Sequence, residues 1–485
     1  MTNHNPHHER RWAILAILGI AQLMVVLDAT IVNIALPSAQ RALHFSNDNR
    51  QWIVTAYSLA FGSLLLLGGK ISDLFGRKWT FIAGLSGFAL ASAVGGAAQS
   101  FGMLATARAF QGAFGALLAP AALSLLTTTF TDPGERNKAF GIFGAIAGSG
   151  ASVGLLLGGL LTQYLNWRAV MYVNVAFAIV AVSGALTLLH NQAPAIKPRL
   201  DIPGVLTVSL GLFALVFGFN RAQTTSWTSA ETIASLAAGV ALLTAFAGIE
   251  ARVTSPLLPL RVVRDRNRGA AYISMGLAAI AMFGVFLFLT YYLQVTRGYS
   301  PVTTGLAFLP MTLVVMVTAV VATTRLRPRV GPRPLMVAGM VLGAIGMLML
   351  RGIALHTSYA SGIMPGLIVM GMGLGLVFST ALNSATLGVT QSDAGVASAT
   401  VNAAQQVGAS LGTALLSTLA ASAATGFVAG HRPTPLLLAR AAVHGYTTAF
   451  TVSAAIFAAA AVIAGLLFSP TADQPSANGE PVLAA

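Results

Sequence analysis

The 485-residue chain contains no cysteine, which excludes disulfides, thiolate metal sites and cysteine nucleophiles together. Charge is nearly as scarce. Asp, Glu, Lys and Arg make up 8% of the residues, where soluble domains carry about 25%. A chain this long with so few charges lacks the polar surface to meet water, so lipid is the solvent for most of its exterior. The histidines are scattered and no H-E-x-x-H occurs. Nor does any Gly-rich loop end in Gly-Lys-Ser/Thr, the phosphate cradle that a built-in ATPase requires. No pattern reads as catalytic or metal-binding, and no cofactor is implied.

What fills the chain is apolar. Hydrophobic residues account for 56% of it, and the mean hydropathy is +0.78. A membrane span needs about 20 mostly apolar residues. By that ruler about fourteen spans are predicted, the first at 12–34 and the last at 443–468, in an all-α integral membrane protein. The first apolar run exceeds a signal-peptide core of about 7–15 residues, so it is expected to persist as a helix. Fifty glycines are present, many inside the apolar runs, where small residues let helices approach closely.

A net charge of +14 and a pI near 10.9 would suit nucleic acid in a soluble protein. Here the basic residues fall in short gaps between apolar runs, where they set orientation and meet anionic headgroups. No nucleic-acid partner is expected. With the N-terminus inside, inner loops collect Arg10, Arg11, Lys70, Arg77, Lys78, Arg136, Lys138 and most of the later arginines. Inner-side basic residues outnumber outer ones by more than about two to one, as the positive-inside rule expects. An even number of spans then returns the C-terminus to the cytoplasm, giving a multi-pass protein of the cell membrane. The stretch 469–485 is polar and expected to be disordered.

The loop 70–78 (K-I-S-D-L-F-G-R-K) follows the second run, and an echo, R-L-R-P-R-V-G-P-R at 325–333, follows the tenth. With the seventh and eighth spans taken as an insertion, both echoes fall between the second and third helices of a six-helix half. Two such halves around a midplane site are a common transporter plan. The predicted division is an N-terminal bundle at 1–190, a linker with two extra spans at 191–268, a C-terminal bundle at 269–468 and a cytoplasmic tail at 469–485.

Ionisable side chains inside the spans are rare. Asp28 lies in the first and Arg108 in the fourth. A charge at such depth costs about 2.5–3.5 kcal/mol on insertion scales, so function is the default reading. Burial disfavours an ionised carboxylate, which lets Asp28 exchange a proton. Arg108 keeps its proton and would act through its field. The alternative for both is a structural ion pair between helices.

Four patterns now stand together. L-D28-A-T-I-V-N-I-A-L-P runs through the first span, and G69-K-I-S-D-L-F-G-R-K78 follows the second. R108-A-F-Q-G-A-F-G-A lies in the fourth, and the fifth carries Gly141, Gly150, Gly154, Gly158 and Gly159. Together they resemble the major facilitator superfamily, specifically its fourteen-helix drug:proton antiporter family, over essentially the whole chain. That resemblance implies two six-helix bundles plus two additional central helices. It also implies proton-coupled efflux of hydrophobic or amphipathic small molecules such as drugs or antibiotics, by a monomer.

On that resemblance Asp28 and Arg108 are the proton-coupling pair. Gly69, Asp73, Gly76, Arg77 and Lys78 form a gating loop in which Asp73, Arg77 and Lys78 are expected to network. The fifth-helix glycines form an antiport motif, in which Leu155 stands where the family usually has proline. Gln111 and Gly112 follow Arg108 by three and four residues and share its helix face. Asn33, Tyr57, Phe61, Gln111, Phe114, Phe286, Tyr291, Asn383, Asn402 and Gln405 are candidates for lining a substrate cavity. The single membrane carboxylate argues against specialisation for divalent cations and leaves monovalent cationic or neutral lipophilic cargo. An uptake symporter of the same superfamily, or an exporter of a lipid or self-made metabolite, would share the fold and the loop motif.

Overall fold

The computed structural model describes residues 10–45, 47–190, 201–253, 256–389, 393–432 and 434–469. The expected linker stretch 191–200 and the tail from 470 onward lie outside them. Hydrocarbon offers no partner to a backbone N–H or C=O, so the chain must satisfy its own, and it does so with helices.

The first six long helices are α1 (Arg11–Leu43), α2 (Asn47–Phe75), α3 (Arg77–Gly96), α4 (Phe101–Thr129), α5 (Pro133–Tyr164) and α6 (Ala169–Leu188). Then come α7 (Ile202–Thr224), α8 (Ala230–Glu250) and the short α9 (Leu260–Arg264). The rest are α10 (Arg266–Gly284), α11 (Pro301–Val321), the short α12 (Arg327–Val330), α13 (Pro332–Leu350), α14 (Met364–Thr386), α15 (Ala394–Val428) and α16 (Pro435–Leu467). Among the described residues, thirteen helices are long and apolar enough to cross a membrane. The 32-residue α5 packs alongside them as the fourteenth long helix.

Several helices outrun the apolar windows because their polar ends stay helical beyond the hydrocarbon. Orphan N–H groups at the starts are capped by side chains: Ser100 for α4, Asp132 for α5, Asp201 for α7, Ser229 for α8 and Thr434 for α16. Helices α5 and α14 keep α-helical hydrogen bonding through Gly141 and Gly371. Widened π turns occur instead at Val285–Leu289, Tyr292–Thr296, Ala322–Leu326 and Tyr359–Ile363.

Packing follows the two-bundle plan. Within the N-terminal half α4 packs on α2 and α3, and α1 on α5 and α6; within the C-terminal half α13 packs on α14 and α16, and α10 on α15. The halves meet through α5 against α11 and α14, and through α15 against α2 and α4. Helices α7 and α8 pack chiefly on each other, with α7 also on α2 and α15.

The two loop echoes share a backbone device. Gly76 (φ 92°, ψ 141°) immediately precedes α3, and Gly331 (φ 75°, ψ 179°) immediately precedes α13. Both conformations are reserved for residues without a Cβ, so the internal repeat extends to matched turns. Many of the basic residues gather at one end of the bundle. There Arg11 pairs with Glu135 at 2.6 Å, Arg136 donates to Thr386 O and Arg266 to Leu467 O. This is the end from which α1 starts and at which α16 finishes.

Candidate functional site

Four helices of the N-terminal half converge on Asp28. The carboxylate is fully buried and Arg108 is 1% exposed. Arg108 Nη1 donates to Asp28 Oδ2 at 2.5 Å and to Gln111 Oε1 at 3.0 Å. Gln111 Nε2 donates to Asp28 Oδ1 at 3.1 Å, so the expected shared face of α4 is real and it points at α1. Arg108 Nε donates to the Ile53 carbonyl at 3.2 Å, and its guanidinium lies 4.4 Å from the Tyr57 ring centroid. The site is therefore closed on the α2 side by a backbone oxygen and an aromatic face.

Two contributors were not singled out in the sequence. Asn174 of α6 donates to Asp28 Oδ1 at 2.7 Å and to Ser92 Oγ at 3.2 Å. Ser92 of α3 also receives Gln111 Nε2 at 2.5 Å. Both are fully buried. The available signal was a lone amide within the apolar run of α6, much weaker than a charge.

Glycine makes this convergence possible. A Cβ on Gly112 would overlap the Tyr57 carbonyl and stand 3.0 Å from Phe61 N, so α4 reaches α2 backbone to backbone. The α5 glycines do the same for α1: Gly150 faces Val26, Gly154 faces Thr30 and the Leu27 carbonyl, and Gly158 faces Ile31. The row thus presses directly on the turns that carry Asp28. Gly141 differs, since it faces Thr323 and Ala319 across the half boundary. Gly159 is buried in the same helix.

The described candidate lining residues make separate contacts. Tyr57 and Phe61 stack at 5.6 Å, and Phe286 stacks on Phe308 at 5.7 Å. The Phe114 ring fills the space over Gly87 of α3, a packing role within the half. Tyr291 is 43% exposed. Asn402 Nδ2 donates to the Ser398 carbonyl of its own helix at 2.8 Å, and Gln405 is half-buried. The Asn33 side chain lies outside the described ones. Asn383 crosses the half boundary instead, donating Nδ2 to Asn137 Oδ1 at 2.8 Å.

In the loop motif, Asp73 and Arg77 approach to 3.9 Å, while Gly69 is buried beside them in α2. Lys78 departs from the expected network. Its Nζ donates to the Leu186 carbonyl of α6 at 3.0 Å and lies 5.7 Å from the Trp79 ring centroid, because α3 turns that face toward α6. Lys70 instead ties the loop to the segment after α8, donating to Pro256 O at 3.2 Å. Among the described residues no group of His, Asp and Glu could hold a metal ion.

This architecture has close counterparts. The Major Facilitator Superfamily profile matches residues 18–413, from within α1 to within α15. The chain belongs to that superfamily. This major facilitator is 46% identical over 472 residues to the puromycin resistance protein pur8 of Streptomyces alboniger, covering 97% of this chain and 94% of the relative. It is 36% identical to the cephamycin export protein CmcT of Amycolatopsis lactamdurans, over 85% of both chains. It is equally identical to the tetracenomycin C resistance and export protein of Streptomyces glaucescens, over 85% of this chain and 76% of that one. The crystal structure of the human organic anion transporter MFSD10 superposes with a TM-score of 0.63, covering 94% and 99% of the two chains. At 13% identity that likeness speaks for the fold alone.

Proposed function

We propose that this major facilitator exports hydrophobic or amphipathic antibiotics across the cell membrane in exchange for protons, with puromycin the first cargo to test. The observation that carries the reading is the buried Asp28–Arg108 pair at 2.5 Å, held between α1 and α4 with no exposure at the carboxylate. A buried ion pair is a weak source of stability, so function is the stronger reason for its presence. Resistance and export proteins among the relatives support the direction and the cargo class.

A proton reaching Asp28 from outside neutralises the carboxylate and releases one of the holds on Arg108. The halves then rock, Asp28 discharges inside, and cargo binding alternates with the proton. The Asp28 turn of α1 lies against the α5 glycine row, and α5 spans the half boundary, which supplies a mechanical path between proton and rocking motion. One charge crossing 100 mV yields about 2.3 kcal/mol, and one pH unit about 1.4 kcal/mol. Exchange of one proton for one neutral molecule would sustain a gradient of several hundred-fold, or about 3.7 kcal/mol. On this reading the basic inner loops keep both termini in the cytoplasm, and the chain acts as a monomer.

The test is efflux of puromycin from a susceptible host expressing the chain. Active, protonophore-sensitive efflux is expected from the wild type and none from Asp28→Asn. Pumping by Asp28→Asn that still follows an imposed pH gradient would remove Asp28 from the coupling role. Accumulation of cargo in the direction of uptake would identify a symporter.

A further inference from the structure

We propose that Asn174 reads the protonation state of Asp28, presenting its amide N–H to the carboxylate and its amide carbonyl to the carboxylic acid. The inference rests on Asp28 being the proton carrier, and it assigns a positioning role to a residue outside the motifs.

The geometry has an asymmetry. Asp28 Oδ1 receives two amide donors, Asn174 Nδ2 at 2.7 Å and Gln111 Nε2 at 3.1 Å. That arrangement suits an ionised carboxylate, which only accepts. A proton placed on Oδ1 would point an O–H at two N–H donors. Gln111 is not free to answer, because its Oε1 already accepts from Arg108 at 3.0 Å. Asn174 is free. Its Oδ1 is buried with no hydrogen-bond partner.

Reversing the Asn174 amide exchanges two nearly isosteric ends. The carbonyl then occupies the place of Nδ2, 2.7 Å from Asp28 Oδ1, and accepts the new O–H. Ser92 adapts to either orientation, since a hydroxyl both donates and accepts. It now receives Asn174 Nδ2 at 3.2 Å and can turn its own proton toward the carbonyl after reversal. Each orientation leaves one amide atom unpartnered, so the protonation state of Asp28 decides which one is favoured.

Arg108 of α4 is the charged group facing Asp28, and Tyr57 of α2 lies beyond its guanidinium. The other elements packed there contribute groups that do not titrate: Ser92 from α3, Asn174 from α6 and the glycine row from α5. Among the described residues Asn174 is thus the uncharged contact to Asp28 with an uncommitted acceptor.

The test needs no cargo: pH-difference infrared spectroscopy of the full-length protein in lipid nanodiscs. Acidification should produce a carboxylic C=O band that Asp28→Asn removes. A simultaneous change in an asparagine amide C=O band should move on labelling with carbonyl-13C asparagine. In Asn174→Leu the amide change should vanish while the Asp28-dependent carboxylic band remains. An unchanged amide response in Asn174→Leu would leave Asn174 as packing alone. Should that variant fail to fold, labelled wild type decides, since a silent asparagine band on acidification defeats the proposal. Absence of any Asp28-dependent carboxylic band would instead overturn the proton-carrier reading beneath it.

Discussion

Asn383 of α14 donates its side-chain amide to Asn137 of α5 across 2.8 Å, joining two residues 246 positions apart in the chain. One turn away Arg136 donates to the Thr386 carbonyl at 2.9 Å. These bonds link the halves at the basic end of the bundle, where a Cβ on Gly144 would stand 3.0 Å from Ser379 Cα. Breaking the amide pair should loosen that closure. A net hydrogen bond contributes about 1 kcal/mol, a factor of about five in an opening equilibrium. The chain has no native cysteine, so Ser379→Cys is a background-free reporter. We expect Asn137→Ala to raise its maleimide labelling rate about five-fold. An unchanged rate would mean that the pair does not hold the halves together.

Neutralising Asp28 should separate stability from transport. Asp28→Asn leaves the Arg108 charge buried without its counterion, a loss of about 3–5 kcal/mol for a broken buried pair. Adding Arg108→Gln removes the stranded charge, so the double variant should recover much of that loss while remaining unable to pump. Thermal unfolding in detergent, analysed as a double-mutant cycle, checks the first part, and efflux checks the second. Additive destabilisation would argue that the two side chains are not energetically coupled.

The α5 glycine row makes a sharper steric prediction. A Cβ on Gly154 would overlap Thr30 Oγ1 and sit 3.0 Å from the Leu27 carbonyl. Gly154→Ala should therefore push α1 away from α5, at a cost of about 1–3 kcal/mol, and impair efflux because Asp28 follows Leu27. Thr30→Ala removes the nearer obstacle, so Gly154→Ala with Thr30→Ala should recover part of the stability and activity. Failure to recover would place the obstruction at the backbone carbonyl.

Gly76 and Gly331 should behave as equivalents. Both precede a helix with positive φ, 92° and 75°, where an alanine is strained by about 1–3 kcal/mol. Gly76→Ala and Gly331→Ala should each lower the unfolding temperature, and by similar amounts. A neutral substitution at either position would show that its turn can relax.

Much of this was legible because lipid simplifies the problem. A backbone without water must be helical, so apolar length alone located the spans. A charge at midplane depth is expensive, so Asp28 and Arg108 announced themselves. The α4 face carrying Gln111 followed from helical periodicity. Asn174 and Ser92 were not legible, since a neutral amide or hydroxyl can satisfy itself on its own helix, as Asn402 does on the Ser398 carbonyl. Lys78 was assigned to its neighbours in sequence, but α3 orients it toward Leu186 of α6. No local signal at Asn383 marks its partner Asn137 in the opposite half.

The Ile53 carbonyl gives Arg108 a second anchor that does not titrate. Losing Asp28 as a counterion would therefore not set the guanidinium adrift; it would stay on α2 as an uncompensated cation at the heart of the N-terminal half. On the proposed coupling, a proton loaded on Asp28 would make that region electropositive and repel any cationic cargo nearby, and its departure would lift the repulsion. Charged passengers would feel the exchange through the electric field, and uncharged ones only through the movement of helices.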